Sequence, residues 1–125
     1  MSRARRVVYI EDNAANLALV TKVLTHSGYE VQGAATGESG LELVAREKPD
    51  LVLLDLDLPG IDGFEVARRL KADRKLRSIP IIAISASVMK HEREQALAAG
   101  CRCFVEKPFD IGALRVAVGE ALQDV

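Results

Sequence analysis

Four places in this chain of 125 residues hold side chains that could do chemistry together: the pair Glu11-Asp12, the segment Asp55-Leu56-Asp57, Ser85, and Lys107-Pro108. Three carboxylates brought close repel one another, and a hard divalent cation relieves that repulsion. Mg²⁺ suits the task, because it takes a few carboxylates and completes its shell with water and phosphate oxygen. Asp55 is then a nucleophile able to accept a phosphoryl group, once the metal and Lys107 neutralise the incoming oxygens. Ser85 can donate a hydrogen bond to the new phosphate. Each residue alone has a plainer use. Acidic residues after strands cap helices, serine in that place forms turns, and a Lys-Pro pair makes a solvated bend. The chemistry requires a fold that brings all four places to one point.

Short apolar runs alternate five times with amphipathic stretches. Val7 to Ile10 is β-branched and aromatic, as a strand requires. Ala14 to Ser27 places Leu17, Val20 and Leu24 at helical spacing, and Gly28 stands at the C-terminal cap. Tyr29 to Ala34 alternates like a strand with one wetter face. Thr36 can cap a helix carrying Leu41, Val44 and Ala45, which Pro49 ends. Leu51 to Leu54 is apolar throughout, so it reads as a strand covered on both faces. Asp62 and Glu65 form an Asp version of the capping box, with Ile61 and Val66 stapling across the start of a third helix. Pro80 to Ile84, Val88 to Ala99 and Arg102 to Val105 read as strand, helix and strand. Asp110 caps a last helix with Leu114, Val118 and Leu122 on one face.

Five strand–helix units with doubly covered central strands imply an α/β fold, a three-layer sandwich around a parallel sheet. Right-handed crossovers and this length favour the flavodoxin-like (βα)5 order 2-1-3-4-5. Ligands in such sheets sit at the carboxyl ends of the strands, where the order reverses between strands 1 and 3. Those ends carry Glu11-Asp12 and Asp55, on neighbours about 4.8 Å apart. Ser85 and Lys107 follow strands 4 and 5.

Composition narrows the field. Lys and Arg total 17 against 18 Asp and Glu, so the net charge is −1. Such balance argues against direct nucleic-acid binding and against attachment to an anionic membrane. No apolar run is long enough to span a bilayer, and the basic start at Arg3, Arg5 and Arg6 lacks the apolar stretch of a signal peptide. A single cytoplasmic domain over residues 1–125 is expected. Cys101 and Cys103 lack the further ligands a metal site needs and read as reduced, buried thiols.

At these residues the sequence resembles the receiver domain of two-component response regulators. The resemblance covers essentially the whole chain. It is carried by Glu11-Asp12, by the run Leu53 to Gly63 around Asp55, by Ser85-Ala86, by Lys107-Pro108-Phe109, and by the separations between them. The resemblance implies that Asp55 accepts phosphate from a phosphohistidine. It implies Mg²⁺ held by Asp12, Asp55, the backbone carbonyl of Asp57, and Glu11 through water, and a cis peptide between Lys107 and Pro108. Ser85 and Phe104 match the family's switch pair. Phenylalanine lacks the hydroxyl of the more usual tyrosine, so a rotamer switch at Phe104 would rest on packing. As a half-exposed strand residue it would instead carry no signal. The donor implied is a histidine kinase or a histidine phosphotransfer protein. The output would be a downstream protein bound by the face of helix 4, strand 5 and helix 5, near Met89, Phe104 and Leu114. Small residues Ala14, Ala15 and Ala18 would admit a donor helix beside the site. Asp57 and Ser87 would flank the water that removes the phosphoryl group, and so tune turnover, unless they merely cap the following turn and helix. The segment Glu11 to Leu17 is similar both to single-domain cell-fate regulators and to receivers of hybrid histidine kinases, and the Met1-Ser2 start favours the first.

Two other chemistries use related residues. Haloacid-dehalogenase-like phosphatases employ an Asp-x-Asp, a Ser or Thr and a Lys, but with Asp-x-Asp first and the acidic pair last, the reverse of the order here. Toprim-type nucleases pair an early Glu with a later Asp-x-Asp, leaving Lys107-Pro108 without a purpose. Flavin binding is disfavoured by carboxylates standing where a phosphate loop is needed. None of these explains all four places.

Overall fold

Apolar side chains alternating along doubly covered strands build two cores, one on each side of a single sheet. The computed structural model describes residues 4–86, 90–108 and 110–123. Along it run β1 (Arg6–Ile10), α1 (Ala14–His26), β2 (Glu30–Ala34), α2 (Gly37–Glu47), β3 (Leu51–Asp55), α3 (Gly63–Ala72), β4 (Ile81–Ser85), α4 (Lys90–Ala98), β5 (Cys103–Glu106) and α5 (Ile111–Gln123). All strand pairs are parallel, in the order β2-β1-β3-β4-β5. Val8, Ile10, Val52, Leu54, Ile81 and Ala83 face α2, α3 and α4. Val7, Tyr9, Leu51, Leu53, Ile82 and Ile84 face α1 and α5. Every residue of β3 and β4 is buried. Each such Leu or Ile contributes about 1.5–3 kcal/mol of apolar burial, so the central strands are the stiffest platform available for a site. No helix among the described residues is long and apolar enough to cross a membrane.

Helix starts follow the expected chemistry, with two differences. Thr36 closes a capping box with Ser39, and Asp110 accepts from the Ala113 N–H at 3.1 Å. Asp62 accepts from the Glu65 N–H at 3.0 Å, but the Glu65 carboxylate does not return the bond. It pairs with Arg68 and Arg69 instead, because charged guanidinium donors compete well with a neutral N–H. In α2 the covered face is Gly37, Gly40, Leu43 and Val44, while Ala45 is exposed. Glycines let the helix approach: a Cβ on Gly40 would stand 2.5 Å from Ile10 Cδ1. Apolar spacing alone points to Ala45, because glycine carries no apolar signal.

Candidate functional site

The register of the sheet sets the site. Ile10 pairs with Leu54, so the next residues, Glu11 and Asp55, leave neighbouring strand ends together. Asp55 pairs with Ile84 and Ser85 with Glu106, which brings Ser85 and Lys107 to the same rim. Glu11, Asp55 and Ser85 are the buried polar or charged residues among those described, at 1%, 2% and 0% exposure. Burial of this kind is costly without partners, and each has them.

The Lys107 Nζ lies 2.8 Å from Glu11 Oε1 and 3.2 Å from Asp55 Oδ2, bridging the two carboxylates. Glu11 also accepts from the Tyr9 hydroxyl at 2.7 Å and from the Asn13 N–H at 3.2 Å. Asp55 Oδ1 accepts from the Asp57 N–H at 3.0 Å. Asp12 is exposed at the rim, and one oxygen from each of Glu11, Asp12 and Asp55 lies within 4.8 Å of the others. Three hard oxygen donors so close form a donor set that fits a divalent cation such as Mg²⁺. The Lys107–Pro108 peptide is cis.

Burial pushes the Asp55 carboxyl up to about 6, and its hydrogen bond with Glu11 adds to the rise, against the pull of the Asp57 N–H. Burial also opposes charge on Glu11, but hydrogen bonds with Asp55, Lys107 and Tyr9 outweigh it and hold that carboxyl at about 2. Without a metal, the first proton the pair takes up as pH falls therefore goes to the Asp55 side. Burial disfavours the Lys107 ammonium as well, yet the two carboxylates reverse this and raise its pKa.

Helix α3 begins directly behind Asp55. A Cβ on Gly63 would fall 2.5 Å from the Asp55 carbonyl oxygen and 2.6 Å from Leu56 Cα. The start of α3 can lie this close to the strand end only because residue 63 is glycine.

Two arrangements differ from the expected ones. The Ser85 hydroxyl donates to Asp57 Oδ2 at 2.9 Å, so Asp57, although exposed, is tied to the neighbouring strand end rather than only to its own turn. Phe104 is half-buried beneath Arg93, whose guanidinium carbon lies 5.4 Å from the ring centroid, while the same guanidinium pairs with Glu106 at 2.8 Å. The expectations placed on Ser87, Met89 and Phe109 lie outside the described residues. Tyr9, the Asn13 N–H and Arg93 were not singled out by sequence reasoning. Period-two alternation, which puts residues 9 and 11 on one face, was the available signal for Tyr9. None pointed to Arg93.

The chain matches the family model of the response regulator receiver domain over residues 7–119. It belongs to the response-regulator receiver family. The polar-differentiation response regulator DivK of Brucella ovis is 37% identical over 107 residues, covering 86% of this chain and 87% of that protein. The crystal structure of a response regulator from Chloroflexus aurantiacus superposes with a TM-score of 0.93 at 27% identity, covering 97% of this chain and 99% of the other. The chemotaxis protein CheY4 of Vibrio cholerae shares the fold, with a TM-score of 0.91 at 22% identity and coverage of 96% and 100%. The protein is thus a receiver domain, a phosphorylation-dependent switch of two-component signalling and not a conventional enzyme. These likenesses favour neither the phosphatase nor the nuclease alternative. The flavodoxin-like topology expected of a receiver is the one observed.

Proposed function

We propose that residues 1–125 form a single cytoplasmic receiver domain in which Asp55 accepts a phosphoryl group from a phosphohistidine donor, a histidine kinase or a histidine phosphotransfer protein. The observation that carries this is the seat of Asp55: buried at the end of a central strand, between the acidic pair and the ammonium of Lys107. Glu11, Asp12, Asp55 and the backbone carbonyl of Asp57 are the groups to hold Mg²⁺, Glu11 through water. When bound, that ion supplies positive charge to the equatorial oxygens of the phosphoryl group. An Asp55 oxygen attacks phosphorus as the P–N bond to the donor imidazole breaks, and the bonding pair leaves with the imidazole nitrogen. Lys107 exchanges a carboxylate contact for a phosphate oxygen, and the Ser85 hydroxyl exchanges Asp57 for another. The released Asp57 carboxylate then stands beside the path of the hydrolytic water and sets the slow autodephosphorylation rate, a role the family resemblance also gives to Ser87.

A phosphoryl group adds only about −1.5 to −2 charges, so output requires a surface with two arrangements. Movement of Ser85 towards phosphate opens room behind it for Phe104 to turn, breaking its stack with Arg93. The groove lined by Phe104, Ala113, Val116 and Ala117 would change with it, and a downstream protein would read that change. Intact-mass spectrometry after incubation with acetyl phosphate tests the chemistry. Wild type should gain one phosphoryl group only with Mg²⁺ present, and Asp55→Asn should gain none. Labelling of both proteins alike would defeat the proposal.

A further inference from the structure

Tyr9 lies in the core beneath α1 and α5, wholly buried and packed among Val20, Leu24, Leu114 and their neighbours. Phenylalanine would fill that space as well. The hydroxyl is the only polar feature in the apolar run Val7 to Ile10, and a buried hydroxyl needs a partner. Its partner is Glu11 Oε1, at 2.7 Å. Besides Asp55 when that carboxyl is protonated, Glu11 has two other donors. The Asn13 N–H reaches Oε2 at 3.2 Å, and Lys107 reaches Oε1 at 2.8 Å but is also claimed by Asp55 at 3.2 Å. Lys107 has a long side chain and is partly exposed, and the proposed chemistry asks it to turn towards phosphate. Tyr9 has two side-chain torsions, both fixed by the core around it. Once Lys107 turns away, the phenol is the rigid side-chain donor left to Glu11.

We infer that Tyr9 is a positioning residue, whose hydroxyl holds the Glu11 carboxylate facing Asp12 and Asp55 and so preorganises the acidic cluster for a divalent cation. The inference rests on the receiver reading of that cluster. A free glutamate side chain loses rotamer freedom when it is ordered, and the hydrogen bond from Tyr9 does that ordering before the ion arrives. Orientation by outer partners of this kind typically governs metal affinity about 10- to 100-fold. The contact to the ion is indirect here, so the lower end applies.

Thermal unfolding of the full chain across Mg²⁺ concentrations measures both metal-free stability and metal affinity. Tyr9→Phe should weaken Mg²⁺ binding about tenfold, while labelling by acetyl phosphate recovers at saturating Mg²⁺. In a Glu11→Ala background, which removes the acceptor of the Tyr9 hydroxyl, Tyr9→Phe should have little further effect, because the hydroxyl acts through that carboxylate. Unchanged affinity in Tyr9→Phe, or equal weakening in both backgrounds, overturns the inference while leaving the receiver reading intact. Failure of wild type to bind Mg²⁺ overturns both. The chain has two tyrosines and no tryptophan, so a Tyr29→Phe variant gives a second test with Tyr9 in place. Tyrosine emission should then change with Mg²⁺ and saturate at the same concentration as the thermal shift. Emission indifferent to Mg²⁺ would also overturn the inference.

Discussion

Replacing Asp55 by Asn should stabilise the metal-free protein, and should do so more at pH 7.5 than at pH 4.5. Burial and the Glu11 carboxylate raise Asp55 from the ordinary 3.8 to about 6. A group raised on folding stabilises the fold below its unfolded pKa and loses that contribution as pH climbs through the folded one, here between about 4 and 6. At roughly 1.4 kcal/mol for each pKa unit, the charge on Asp55 costs the apo fold up to roughly 3 kcal/mol at neutral pH. Asn removes the charge, and its amide can still donate to Glu11 as the protonated acid does. Relaxation of the wild-type site reduces the expected gain to about 1–2 kcal/mol, or about 3–8 °C in melting temperature for a domain of this size. Calorimetry in chelator at the two pH values reads it directly. Near pH 4.5 wild-type Asp55 is already protonated and the advantage should almost vanish. A variant that is less stable at pH 7.5, or stabilised equally at both, would refute the account of two carboxylates forced together by the fold.

Three further outcomes follow from the same geometry. Below about pH 6 Mg²⁺ must displace the proton on Asp55, so its affinity should fall about tenfold for each pH unit below 6 in a calorimetric titration; affinity flat from pH 7 to 5 would place the metal elsewhere. Gly63→Ala presses a Cβ onto the Asp55 carbonyl and Leu56 Cα, which should cost about 1–3 kcal/mol and slow labelling at Asp55, as denaturant unfolding and mass spectrometry would show. Ala15→Trp should block phosphotransfer from a protein donor yet spare acetyl phosphate, whereas equal loss with both would argue against docking beside α1.

The strand ends were legible because few signals are stronger than apolar strands bounded by capping residues, and β1, β3 and β4 end beside or at the residues that matter. Parallel topology then follows from strand–helix alternation, and with it the convergence of Glu11, Asp55, Ser85 and Lys107. The covered face of α2 was not legible, since Gly37 and Gly40 are read as gaps by any apolar pattern although their lack of a side chain is what seats the helix. The bond from Ser85 to Asp57 joins residues on separate strand ends, and which oxygen a hydroxyl reaches depends on sheet twist as well as residue type. The same is true of Arg93 over Phe104, a helix-to-strand contact that no local periodicity encodes. Tyr9 stood in a strand where its ring looked like core, and its ring is core; the function proposed for it lies in one oxygen atom.

The central claim is that Asp55 itself carries the phosphoryl group. An acyl phosphate is reduced by borohydride to an alcohol, which converts a phosphorylated aspartate into homoserine and leaves every unmodified carboxylate alone. Wild type should be treated with acetyl phosphate and Mg²⁺, trapped with borohydride, digested, and sequenced by tandem mass spectrometry. The account predicts homoserine at position 55 and nowhere else. Homoserine at position 12 or 57, or a stable phosphate on Ser85 with Asp55 intact, would contradict it.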